Sequence, residues 1–324
     1  LTVEHVHRRW HPQVMHDVHQ MGRQGARLFV PPYTDPWEPN VDPALVAAAS
    51  AIGTHVAARL TTEGRRGIVT GAIFDAWTPA RAYTHTHAGV RVLSETASAR
   101  LASPVEIPAR ELRSRRGGYD PKTSSANFPL PWPGGTWRLG DIVEYQLGAS
   151  LAVLDHVARN REFWLRTALG VARRATARED PFAFVVPAGQ RDPLATARLL
   201  EILHDGGVEV HRAREEFEAG GRTWPEGSHV VSMQQPASAF ARTVLARQHY
   251  PDLRSEPGAP PRRPYDVTAH TLPLLLGVQA EALATRFTAN LEPVGVPLVE
   301  PGSVRGEGPM LALGHASGDP VSYT

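Results

Sequence analysis

The chain's apolar residues come in two kinds of block, and their alternation limits the folds it can adopt. Short runs such as QVMHDVH (13–19) and GVRVLSETA (89–97) have strand character, with Val14, Met15 and Val18 in the first and Val90, Val92 and Leu93 in the second. Between them lies ALVAAASAIGTHVAARL, which reads as a helix over 44–60 with Asp42 as N-cap and Pro43 in its first turn. Gly- and Pro-rich stretches separate the blocks, notably 22–43 and 106–138, and read as long ordered loops. Strands alternating with helices imply an α/β fold.

The pattern continues after residue 138. Residues 141–177 suggest one long helix or two broken ones, with an Arg-rich end suited to a helix C-terminus. FAFVVPA then reads as a buried strand. RDPLATARLLEILHDGG reads as a helix opened by Asp192 and Pro193, and VEVHRA as a second strand, which together suggest a parallel α/β unit. A hairpin-like piece (217–233), a helix in ASAFARTVLARQ and a further helix over 265–278 are expected next, and MLALGHA looks like a strand start. The organisation expected is 1–105, a connecting region of loop cover and helices over 106–178, and a smaller α/β domain over 179–324.

Composition narrows the chemistry. The chain has 324 residues, 42% hydrophobic and 21% charged, with a formal net charge of +1. That balance argues against a nucleic-acid partner. Nearly all the positive charge is arginine, since Lys122 is the only lysine. With no cysteine, disulfides, thiolate ligands and a cysteine nucleophile are excluded, so any metal site must use His, Asp and Glu. No run of 18 apolar residues suggests a membrane span. Phosphate-loop, dinucleotide, Gly-x-Ser-x-Gly and His-Glu-x-x-His motifs are all missing.

Histidines near the N-terminus remain. On a strand, Asp17 and His19 share one face and His16 takes the other. Asp17 could orient His19 as a metal ligand, because a bound imidazole usually donates its other N–H to an oxygen. Spacing alone favours the plainer reading, a surface histidine at a polar strand end. Glu95 ends an apolar strand beside small residues, which suits either a general base tuned by burial or a turn-capping side chain. His85 and His87 would share one side of a strand or sit in a polar loop. The arginines at 110, 113, 115 and 116 suit an anion or simply water.

The segment HDVHQMGRQGARLFVPPY resembles the surroundings of the last zinc histidine in zinc-dependent metallocarboxypeptidases of the carboxypeptidase A type. The resemblance lies in a strand ending in a histidine, a polar loop, and an aromatic-Pro-Tyr turn at Phe29 to Tyr33. It continues through a helix (44–60), a strand and loop (68–83), and GVRVLSETASARLASP, which is similar to the family's strand ending in a catalytic glutamate. The large multi-domain bacterial members are the most similar.

This likeness implies that 1–105 is the C-terminal half of a catalytic domain, part of a mixed sheet flanked by helices. It implies one Zn²⁺ ion with His19 as a ligand, Glu95 as general base, and a peptide or protein substrate. In that mechanism the metal lowers the pKa of its bound water, and the glutamate passes a proton to the leaving amine. The family's mobile tyrosine would fall at Phe74, with Tyr83 as a nearby alternative, and Gln20 and Met21 also depart from the animal enzymes. No His-x-x-Glu occurs, so two further ligands are expected in a missing N-terminal part, and an exposed sheet edge and poor solubility are expected of the fragment. An extracellular or periplasmic location would fit bacterial members of the family, with any export signal upstream of Leu1. The alternatives are a catalytically inactive binding module with this fold, and a hydrolase or amidotransferase seated in the C-terminal unit.

Overall fold

The computed structural model describes residues 2–114, 117–266 and 269–295. The protein is mixed α/β and forms two compact units. The first holds 11–171 with 251–266, and the second holds 2–10, 172–250 and 269–295. Residues 106–171, expected as a connecting region, belong to the first unit and supply buried Phe128, Trp137 and Ile142 to its core.

The first unit contains β1 (Val14–Met21), β2 (Leu28–Phe29), β3 (Thr34–Trp37), β4 (Ile68–Val69), β5 (Asp75–Ala76), β6 (Val90–Ala97), β7 (Val105–Ile107) and β8 (Gly135–Trp137). Its main sheet runs β1-β6-β2-β4. The sheet is mixed: β1 and β6 are parallel, β6 and β2 antiparallel, β2 and β4 parallel. β1 lies at the edge, and Val18 on it is 54% exposed.

Two long helices serve this sheet, α1 (Pro43–Thr62) and α2 (Leu139–Arg159). Asp42 caps α1 by accepting from the Ala44 N–H at 2.9 Å, as its sequence suggests. By length and composition α1 could cross a membrane. Here Leu45, Ile52, Val56 and Leu60 are buried in the core, a sufficient reason for its apolarity. Both helices pack against β6 and against each other. The expected long helix over 141–177 is broken at Asn160, and α3 (Arg161–Thr176) follows.

The second unit contains β9 (Ala183–Val186), α4 (Pro193–Asp205), β10 (His211–Ala213), the hairpin of β11 (Phe217–Ala219) and β12 (Arg222–Trp224), β13 (His229–Ser232), α5 (Ser238–Leu245), β14 (Glu281–Leu283) and β15 (Leu291–Pro293). Its five-stranded sheet runs β14-β9-β13-β10-β15, and every adjacent pair is antiparallel. The parallel pairing expected of β9–α4–β10 does not form, because β13 inserts between the two strands. Periodicity identifies a strand and leaves its partner open. The helix expected over 265–278 shrinks to Leu272–Leu276. Pro273 starts it, as a residue without an N–H can, and left-handed Gly277 (φ 65°) ends it. MLALGHA lies outside the described residues.

Candidate functional site

β1 and β6 run side by side in a register that opposes His19 to Glu95. The two side chains meet, with His19 Nδ1 3.0 Å from Glu95 Oε2. The His19 side chain is 62% exposed and that of Glu95 only 7%. The pair therefore joins a solvent-facing imidazole to a buried carboxylate. Burial pushes the Glu95 carboxyl above its ordinary value. The hydrogen bond from His19, then its charge and those of Arg81 and Arg91, act in the opposite direction.

The strand backbones are held together from the α2 side. Gln146 donates to the carbonyls of His19 (3.0 Å) and Ser94 (3.1 Å). Its own Oε1 accepts from Ser94 Oγ at 2.6 Å. His16 sits on that same face, with Nε2 2.8 Å from Ser94 Oγ and Nδ1 3.3 Å from Ser150 Oγ. Burial lowers the His16 pKa, more than the opposing charge of Asp17 raises it. His16 is thus part of a buried polar network, and the strand alternation sends it away from His19.

Asp17 does not orient His19. Its carboxylate accepts two bonds from Arg91, at 2.9 and 2.5 Å, and the contacts of His19 Nδ1 are to Glu95 and to the Gln20 carbonyl at 3.1 Å. The oxygen beside the imidazole is therefore that of Glu95.

His19 and Glu95 open onto a cleft of about 820 Å³. Gln20 to Ala26 form one wall, and Ile73, Phe74, Ser98, Arg113, Ser114, Tyr119 and Tyr265 complete it. Phe74 thus belongs to the cleft. Its ring packs on Phe29 at 4.9 Å and on Tyr265 at 5.1 Å, with the Arg81 guanidinium over both Phe74 and Tyr265. Ile73 before it has φ 71°, a left-handed conformation costly for a β-branched residue. Tyr83 is not part of the lining; its ring stacks on His87, centroids 4.2 Å apart.

His85 and His87 share a 3₁₀ turn and not a strand. His85 is fully enclosed, its ring 5.2 Å from that of Trp37 and 6.2 Å from that of Tyr33. Burial, and then the Arg91 charge, pull its pKa down to about 3, so it is neutral at ordinary pH. Of the arginines at 110, 113, 115 and 116, Arg113 lines the cleft and Arg110 is exposed elsewhere. Arg115 and Arg116 lie outside the described residues.

Among the described residues, no three His, Asp or Glu side chains converge to hold a metal ion. Asp17 is committed to Arg91, which leaves His19 as the single histidine proposed for a metal at this cleft. One histidine does not make a zinc site, so the residues present do not fit that ion by themselves. What they do form is a buried carboxylate beside an accessible imidazole in the lining of a cleft.

Comparison with protein-family models, with curated proteins and with solved structures finds no match to the chain.

Proposed function

We propose that the first unit carries part of the active cleft of a zinc-dependent metallocarboxypeptidase that hydrolyses C-terminal peptide bonds. Glu95 is the proton acceptor of that reaction, and His19 is one ligand of the metal. The observation that supports this reading best is the contact between His19 and Glu95, from residues 76 apart in sequence, at one cleft. A carboxylate raised by burial takes up a proton more readily than an exposed one, as a general base requires. The cleft, with Phe74 and Tyr265 in its wall, suits a peptide.

The reading requires two more metal ligands from sequence beyond this chain. Two surface features agree with further structure packing here. β1 has an open edge, and α2 presents an exposed ridge of Val143, Leu147, Leu151 and Leu154. Ser150 on α2 reaches His16 on β1, so the ridge borders that edge.

A second reading is a catalytically inactive module of the same kind that binds peptides without cleaving them, a role that the described residues could fill without a metal cluster. The test is a protein extended upstream of Leu1 through a His-x-x-Glu segment. It should bind one zinc ion by metal analysis and release C-terminal residues from peptides. His19→Ala should lose the zinc, while Glu95→Gln should keep it and lose turnover. Upstream sequence without His-x-x-Glu, or zinc stoichiometry indifferent to His19→Ala, would overturn the enzyme reading. Peptide binding without cleavage would then support the inactive module.

A further inference from the structure

The ionisable groups around the cleft are unbalanced. Apart from two phenols, its lining contains His19, Arg23, Glu95 and Arg113. Glu95 is the sole carboxylate, and it is engaged by His19. Arg81 and Arg91 also act on Glu95, but each already has an acid of its own: Arg81 bonds Asp266 at 2.6 Å and Arg91 bonds Asp17 at 2.5 Å. Arg23 and Arg113 differ. Neither has a carboxylate within salt-bridge distance among the described residues.

Arg113 is also held in place. Its backbone N–H donates to the Gln24 carbonyl at 2.8 Å, and its guanidinium donates to Gln24 Oε1 at 2.8 Å. An amide is a neutral partner. It orients the guanidinium without cancelling its charge and leaves its other N–H groups available. Gln24 is in turn part of the wall that continues from His19. Nearby, the Tyr119 hydroxyl accepts from the Ala26 N–H at 2.8 Å and ties the Arg113 loop to that wall. A cleft lined by one sign of charge concentrates counter-charged ligands, and a planar guanidinium pairs with carboxylates in a bidentate fashion.

We propose that this cleft selects acidic peptides, with an aspartate or glutamate side chain of the substrate paired to Arg113 and drawn in by Arg23. This inference rests on the reading of the cleft as a peptide site, and it adds the substrate class.

The test is fluorescence anisotropy on the 324-residue chain at low ionic strength, with dye-labelled hexapeptides that differ only in Glu, Gln or Lys at their central positions. The Glu peptide should bind about tenfold tighter than the Gln peptide, as expected for one added charge-assisted pair, and the Lys peptide weakest. Arg113→Gln should bring the Glu peptide down to the level of the Gln peptide, whereas Arg110→Gln, outside the cleft, should leave the preference intact. Equal binding of Glu and Gln peptides would overturn the acidic preference and leave the peptide reading standing. A preference that survives both Arg113→Gln and Arg23→Gln would also overturn it. Failure of every peptide to bind would overturn both.

Discussion

His19 and Glu95 are direct register partners on adjacent parallel strands, and their side chains touch at 3.0 Å although one is mostly exposed and the other buried. The contact depends on how the two backbones are pinned, and Gln146 does the pinning from behind. Its amide satisfies the His19 and Ser94 carbonyls together, in a site that excludes water. Gln146→Leu leaves those carbonyls and the Ser94 hydroxyl short of partners, and should lower stability by about 1–3 kcal/mol in urea unfolding. Gln146→Glu is the sharper variant, since it keeps the shape but sets a carboxylate against two carbonyl oxygens. A Glu variant as stable as the parent would remove Gln146 from this role.

The strands and first helix of this site were legible in the sequence because their signals are local. Val14 to Val18 and Val90 to Leu93 read as strands, and Asp42-Pro43 marks a helix start. The cleft was legible only in part. Tyr265, Tyr119 and Arg113 reach it from distant segments whose composition, rich in Pro, Gly and Arg, carries no periodic pattern. Asp17 shows the same limit: strand alternation gives the face it shares with His19, while its partner, Arg91, comes from the neighbouring strand. In the second unit, β9 and β10 were recognisable as strands, but the insertion of β13 between them is a long-range event that neither strand's own residues signal.

His85 should make the first unit acid-sensitive. Its imidazole is enclosed by Trp37 and Tyr33, and its pKa is pulled to about 3 from 6.5. A group whose pKa is depressed on folding takes up its proton more readily when unfolded. Its contribution is therefore complete above pH 6.5 and is lost progressively as the pH falls toward 3. One such proton gives a slope of about 1.4 kcal/mol per pH unit within that window. His85→Leu should flatten the profile by that amount between pH 6 and pH 4, measured as the difference between urea-unfolding free energies of the two proteins. Parallel profiles would show that His85 does not titrate on unfolding.

Arg27 should be irreplaceable by lysine. It is fully buried, its guanidinium carbon 4.3 Å from the Trp132 ring centroid and 4.9 Å from that of Trp137, and it donates to the Arg23 and Gly25 carbonyls. Burial lowers its pKa to about 10, which still leaves it charged near neutrality. A flat, weakly hydrated guanidinium tolerates this aromatic corner, and a strongly hydrated ammonium does not. Arg27→Lys is expected to cost about 2–4 kcal/mol in urea unfolding despite conserving the charge. A loss below about 0.5 kcal/mol would mean that the charge alone matters there.

Gly53 tests whether α1 is seated by close backbone contact. In the middle of an exposed helix, replacing glycine by alanine gains about 1 kcal/mol from helix propensity. At this position a Cβ would lie 2.1 Å from the Pro31 carbonyl oxygen and 2.5 Å from its carbon. Both are backbone atoms of the turn between β2 and β3, so no side-chain rotation can relieve the overlap. Either α1 must lift from the turn or the turn must move, and that turn leads to Tyr33, whose hydroxyl donates to the Arg91 carbonyl and accepts from the Leu93 N–H. Gly53→Ala should therefore destabilise the protein by about 1–3 kcal/mol, the ordinary cost of overpacking, in place of the gain that propensity alone would bring. Thermal unfolding settles the sign directly: a variant that melts at or above the parent temperature would show that the turn yields to α1 without penalty.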